Sequence, residues 1–223
     1  MLRLVVSPTR GTKGRIGFVL AGPFALRSGQ LPLAAIEYTQ LAGARSATAT
    51  FVSTGTVAYA IANGKRISLP PSATEGIRSA ANGSGGGQGL GGLRIDTWLK
   101  DPSVSAGGRV SGADTDHISA GLDVVNAANG LLAFVRQLGR DTPTITGKSA
   151  DQLREAVKSS SIDVWTGKKD KLLRRLRLAA ELGFNVPDNL KRALGDIVGA
   201  KIEFELAITN PNQPVQIKPP AGG

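Results

Sequence analysis

The chain of 223 residues has no cysteine, one histidine and few aromatics, 4% of its residues. Without cysteine there is no disulfide, no thiolate metal site and no cysteine nucleophile. A bacterial lipoprotein anchor would also lack the residue that carries it. His117 has no second histidine to share a metal with. No apolar run reaches the roughly 20 residues that a membrane-spanning helix needs. Acidic residues are scarce at one end: before Leu93, Glu37 and Glu75 stand against nine basic residues, so much of the net charge of +10 lies there. Those nine are scattered through Gly/Ala/Ser/Thr-rich sequence, without interleaved aromatics or a helix to carry them, and a nucleic-acid partner is not expected. G-x-S-x-G, H-E-x-x-H and Walker patterns are missing, and no two carboxylates form a suggestive pair. These absences argue against an enzyme, and no cofactor or metal site is expected.

The most ordered pattern lies between Ser160 and Thr209. Leu176, Leu178, Ala180, Leu182, Phe184 and Val186 alternate with Arg175, Arg177, Glu181 and Asn185. Ile202, Phe204, Leu206 and Ile208 alternate with Lys201, Glu203, Glu205 and Thr209. Side chains of a strand point to opposite faces in turn, so each segment predicts a strand with one apolar and one wet wall. Ser161–Thr166 predicts a shorter strand with Val164, joined to the next through the polar turn Gly167–Asp170. Leu172, Leu173, Leu176, Ala179, Ala180 and Gly183 also fall at helical spacing; the long alternation and the neighbouring strand signals favour the sheet.

Earlier in the chain, Arg10–Leu26 has the basic start and apolar stretch of a signal peptide, although Arg27 follows where a small-residue cleavage site belongs. Residues 1–30 are therefore expected to be signal-like or disordered. Residues 31–218 form a single domain, and 219–223 a tail. Leu31–Leu41 predicts a short helix. Phe51–Ile67 predicts a hairpin through Asn63-Gly64. Residues 82–92 are glycine-rich and flexible; their G-x-G-x-x-G match fails, because an alternating strand, Leu93–Leu99, follows where a helix should open. Asp114–His117 reads as a turn before a strand over Ile118–Asp123, which holds Leu122. Asp123 then caps a helix whose stripe includes Val124, Leu131 and Val135. Ser149 and Gln152 form a capping box for a second helix. A short helical turn over 187–195 and an edge strand over Pro214–Lys218 complete the expectations.

From about Leu93 to Pro219 the chain resembles the LppX/LprG-type lipoproteins of actinobacteria, distant relatives of the LolA and LolB carriers. The resemblance rests on Val110–Asp123 as a strand pair leading into a helix, on Val164-Trp165 in the following strand, and on Lys171–Leu176 after the turn. Residues 31–92 lie outside it and read as a divergent or incomplete N-terminal part. The resemblance implies an α+β fold: a curved antiparallel half-barrel with helices on its concave face. It also implies a non-catalytic carrier of lipids or glycolipids in the cell envelope, with acyl chains held between sheet and helices. On this chain the pocket would be lined by Leu122, Val124, Leu131, Val135, Val164, Leu176, Leu178, Leu182, Phe184, Ile202, Phe204 and Leu206. The exposed Lys168, Lys169 and Lys171 would meet anionic membrane headgroups. The alternative is an envelope surface-binding or structural accessory protein with a solid core and no ligand.

Overall fold

The computed structural model describes residues 1–9, 14–27, 29–43, 45–83, 94–137, 141–183 and 199–217. Its strands are β1 (Leu2–Pro8), β2 (Arg15–Ala21), β3 (Phe24–Ala25), β4 (Leu33–Gly43), β5 (Arg45–Thr54), β6 (Ala58–Ala62) and β7 (Lys65–Ser68). After helix α1 (Pro71–Gly83) and a 3₁₀ turn (Ile95–Trp98) come β8 (Leu99–Val110) and β9 (Ala113–Leu122). Helices α2 (Val124–Gln137) and α3 (Gly147–Ala156) lead to β10 (Val157–Gly167), β11 (Leu173–Gly183) and β12 (Gly199–Ala207). All twelve strands belong to one antiparallel sheet, ordered β7-β6-β5-β4-β2-β1-β12-β11-β10-β9-β8, with short β3 beside β4. The sheet is open, ending at β7 and β8. This is the α+β class, an open antiparallel sheet with helices against one face.

Register makes that face continuous. In one cross-strand row Ala120, Ile162, Leu178, Phe204, Leu4 and Phe18 are successive partners from β9 to β2. In the next, Ile118, Val164, Leu176, Leu206, Leu2, Leu20 and Tyr38 reach β4. Because side chains alternate along every strand, these rows stack into one apolar wall. The wet wall carries Asp163, Arg177, Glu205 and Arg3 in a row of its own.

The strands predicted over 161–166, 174–186 and 201–209 correspond to β10, β11 and β12, with residues 184–186 outside the described residues, and the helical alternative for 172–183 is not taken. Asn63 and Gly64 form the expected tight turn, with φ of 51° and 72°, the left-handed conformation that such turns require. Asp123 caps α2 as expected: its Oδ1 accepts the N–H groups of Val125 at 3.1 Å and Asn126 at 3.0 Å.

Several expectations are corrected. Residues 2–8 and 15–21, expected to be signal-like or disordered, are strands near the middle of the sheet. The helix expected over 31–41 is strand β4, because pairing with β2 and β5 outweighs local helical spacing. Residues 2–68 thus supply seven strands of the sheet, four of them within the 31–92 part. Within the strand expected over Leu93–Leu99, Ile95–Trp98 is instead a 3₁₀ turn, stabilised by Arg94 donating to both Asp96 carboxylate oxygens (3.0 and 2.7 Å) and by Thr97 donating to the Arg94 carbonyl, while Leu99 opens β8 and Leu93 lies outside the described residues. Asp114–His117 lies inside β9 rather than in a turn.

The second helix starts at Gly147, before the predicted capping box, and Thr146 makes no side-chain cap. Its entry is fixed instead by Asn129, which accepts from the Ile145 N–H and donates to the Ile145 carbonyl. Residues 214–217 form no strand. The turn predicted over 187–195 lies outside the described residues.

Candidate functional site

The apolar wall is thickest where α2 lies over β9–β12. Trp98, only 1% exposed, is buried there with Leu122, Ala127, Ile162, Val164, Leu176, Leu178 and Phe204. Val124 and Leu131 of α2 and Leu2, Leu4 and Leu206 of the sheet pack around them. The 3₁₀ turn delivers Trp98 to this position, since the Asp123 N–H donates to the Trp98 carbonyl at 2.7 Å and so ties the turn to the start of α2. Gly130 explains how close the helix comes: a Cβ there would sit 2.7 Å from Trp98 Cζ2 and 3.0 Å from Nε1. A glycine that costs helix propensity thus leaves room for the indole ring.

The structure brings Leu122, Val124, Leu131, Val164, Leu176, Leu178, Phe204 and Leu206 together in this cluster. Leu182 and Ile202 lie further along β11 and β12, half-buried and outside it. Ile202 instead borders a shallow groove of about 270 Å³ shared with Ser160, Ala180, Glu181 and Lys201. Val135 lies on α2, but its side chain is outside the described residues, as is all of Phe184. Sequence reasoning missed Trp98 and Ile162. Ile162 could have been found from its alternation with Val164; Trp98 was read as part of a strand.

The same wall continues over the N-terminal strands, where it is less covered. Leu20 and Phe18 face the Tyr38 and Gln40 positions, and Ile36, Phe51, Ala60 and Ile67 form a further row. Ile16 is 61% exposed, Ile67 51% and Tyr38 36%.

Arg174 departs from the pattern of both walls. The β10–β11 register shifts so that Trp165 faces Arg175 and Thr166 faces Leu173, which leaves Arg174 as the extra residue of a bulge. Bulges re-aim side chains. This one buries the Arg174 guanidinium, with the residue only 6% exposed. Its Nη2 donates to Asp170 Oδ2, while Nε and Nη1 are buried without an acceptor. Burying an unpaired polar group costs about 1–3 kcal/mol. Asp170 is held in place because its other oxygen accepts the Leu172 N–H at 3.1 Å. That backbone hydrogen bond first, and the Arg174 guanidinium next, hold the Asp170 carboxyl below the ordinary carboxylate range. Gly167 makes the turn fit, since a Cβ there would collide with the Asp170 carboxylate.

On the wet wall, His117 Nε2 lies 2.7 Å from Asp163 Oδ1 and its ring stacks on Trp165, with centroids 4.5 Å apart. Arg175 lies 5.5 Å from the Trp165 centroid and pairs with Glu205 at 2.6 Å. Among the described residues no three His, Asp or Glu side chains are arranged to hold a metal ion. No helix among them is long and apolar enough to cross a membrane. Lys168, Lys169 and Lys171 are exposed at the β10–β11 turn, with Lys171 Nζ 3.0 Å from Asp116 Oδ2.

Fold and walls together define a class: an open antiparallel sheet with one apolar face, part of it sealed by a helix and a tryptophan. Among solved structures, the crystal structure of LprF from Mycobacterium bovis is similar, with 14% sequence identity, a TM-score of 0.43, and coverage of 99% of this chain and 89% of that one. No family model and no curated protein matches the chain.

Proposed function

We propose that the protein is a non-catalytic lipid- or glycolipid-binding carrier of the cell envelope, acting outside the cytoplasm and taking acyl chains against the apolar wall. One observation carries this reading. The wall runs unbroken from β9 to β4, yet its N-terminal end leaves Ile16, Tyr38 and Ile67 in contact with water. Soluble proteins rarely leave extended apolar faces open without a use for them. The resemblance of residues 93–219 to LppX/LprG-type lipoproteins supports the same ligand class. An acyl chain of roughly 15 methylenes, at about 0.8 kcal/mol per buried CH₂, would contribute on the order of 10 kcal/mol before ordering costs. Leu122, Val124, Leu131, Val135, Val164, Leu176, Leu178, Leu182, Phe184, Ile202, Phe204 and Leu206 are the proposed lining on the C-terminal side. The test is native mass spectrometry of the purified protein together with uptake of a fluorescent fatty acid. A stoichiometric lipid or saturable uptake supports the carrier; lipid-free preparations with no uptake overturn it.

A second reading is a structural accessory protein whose C-terminal cluster is a solid core. The near-complete burial of Trp98 favours it. Leu178→Trp separates the two. In a pocket the added ring displaces lipid with little loss of stability; in a solid core it overpacks, costing roughly 1–3 kcal/mol, with no binding to lose.

Lys168, Lys169 and Lys171 complete the proposal as a contact for anionic headgroups, at about 1 kcal/mol per charge near the surface. Replacing all three with Gln should weaken binding to anionic vesicles at low salt and leave lipid occupancy unchanged. Equal vesicle binding by variant and parent would remove the docking role.

A further inference from the structure

We propose that the open N-terminal half of the apolar wall lies flat on a membrane with an anionic surface, with Arg45 and Lys65 set against its headgroups. This goes beyond the carrier function, which concerns what the wall holds, by naming the surface that the wall lies on.

Register puts charged and apolar side chains on one plane. Lys65 of β7 stands in the cross-strand row of Ala62, Ala49 and Tyr38. Arg45 of β5 pairs with Ala42, which in turn pairs with Ile16. Both cations therefore rise from the same wall as Ile16, Tyr38 and Ile67. Both are exposed, and neither has an ion pair among the described residues. Glu37 is the one carboxylate in the sequence of β1–β7, and it alternates with Tyr38 onto the other wall. That other wall buries Val5, Val52 and Tyr59, so the open face belongs to a packed layer.

Charge and shape together select the occupant. A second copy stacked face to face would set these cations against one another with no acid to meet them. A polyanion alone would neutralise them and leave the isoleucines in water. An anionic leaflet satisfies both requirements. Its headgroups meet Arg45 and Lys65, while Ile16, Ile67 and the Tyr38 ring reach the interface, where tyrosine is favoured. Ala42, Ala47 and Ala49 lie among them and carry no bulk that would hold a flat surface away. Lys168, Lys169 and Lys171, at the β10–β11 turn, belong to the other half of the sheet.

The test uses the full chain, vesicles of phosphatidylcholine alone, and vesicles of equal parts phosphatidylcholine and phosphatidylglycerol. The chain has no cysteine, so one introduced thiol takes a polarity-sensitive dye at a single site. Ser46 and Ala47 are consecutive, exposed and on opposite walls of β5. Dye on Ala47→Cys should shift to the blue on the mixed vesicles and not on phosphatidylcholine alone. Dye on Ser46→Cys should emit as it does in water.

Arg45→Gln with Lys65→Gln should weaken binding to the mixed vesicles about thirtyfold, as two charges at roughly fivefold each would give. The charge-matched pair Arg15→Gln with Arg66→Gln lies on the other wall and should lose less than about fivefold. Ile16→Ser should weaken binding about tenfold at high and low salt alike, since burial of an isoleucine is not screened.

No shift at Ala47 on the mixed vesicles, or an equal shift at Ser46, overturns the contact. Equal losses from the two cation pairs would mean attraction by net charge alone and overturn the assignment to this face. A shift at Ala47 that grows with protein concentration without vesicles would make a second copy the occupant and overturn the membrane. Uptake of a fluorescent fatty acid in vesicle-free buffer reads the carrier separately. Uptake without vesicle binding overturns the contact and leaves the carrier; vesicle binding at Ala47 without uptake supports the contact and overturns the carrier.

Discussion

The two halves of the sheet share one apolar wall and treat it differently. Over β9–β12 a tryptophan and helix α2 close it, and Trp98, Leu176 and Ile162 lose all but a trace of contact with water. Over β1–β7 the same rows continue, but Ile16, Tyr38 and Ile67 remain exposed. Register is therefore not what separates the halves; cover is. The C-terminal half buries this wall, while the N-terminal half leaves part of it exposed and buries Val5, Val52 and Tyr59 on the opposite face.

The largest expected effect comes from removing the cover. Trp98→Ala should cost about 3–5 kcal/mol in denaturant unfolding, whereas Ile16→Ser, on the open half, should change stability by no more than about 0.5 kcal/mol. Comparable losses from the two would erase the distinction between the halves.

Next in size is Gly130→Ala. In an exposed helix this change stabilises by up to about 1 kcal/mol. Against the Trp98 ring it should destabilise, by roughly 1–3 kcal/mol. A stabilised variant would show that the helix and the ring are less tightly packed than their spacing implies.

Asp123→Ala removes the cap that starts the covering helix and should cost about 1 kcal/mol. Its effect should be confined to the C-terminal half, visible as faster amide exchange in α2 with β4 and β5 unchanged.

The smallest effect is one of pH. The Asp170 carboxyl is depressed in the folded state, so its contribution is present above the ordinary carboxylate range and is lost as pH falls through the depressed value. In acid titrations of stability the parent should show this extra slope and Asp170→Asn should not.

How much of this could be read from the sequence depended on contrast between the walls. In β11 and β12, leucine and phenylalanine alternate with arginine and glutamate, so strand, face and most of the cluster were legible. In β5, Arg45-Ser-Ala-Thr-Ala-Thr offers almost no contrast, and Leu33-Ala-Ala-Ile in β4 fits a helix as well as a strand. Those strands exist because their neighbours pair with them, and that information is not local. The site was illegible for a related reason. Trp98 sits in a turn, where no periodicity announces a core residue. Arg174 belongs to a basic run that reads as solvated surface, and a one-residue bulge in the β10–β11 ladder buries it.

The pairing of β1 with β12 has a consequence for how the molecule is made. These strands lie side by side, Leu4 opposite Phe204, although some 200 residues separate them. Until β12 leaves the ribosome, β1 is an unpaired edge at the end of an N-terminal sheet, and β11 has no neighbour to its other side. Contacts between such distant segments form late and slowly, because a long loop must close before they contribute. During that interval the two open edges, each carrying part of an apolar wall, are competent to pair with another chain. Synthesis of this protein thus has a vulnerable period that ends only when β12 joins the two half-sheets.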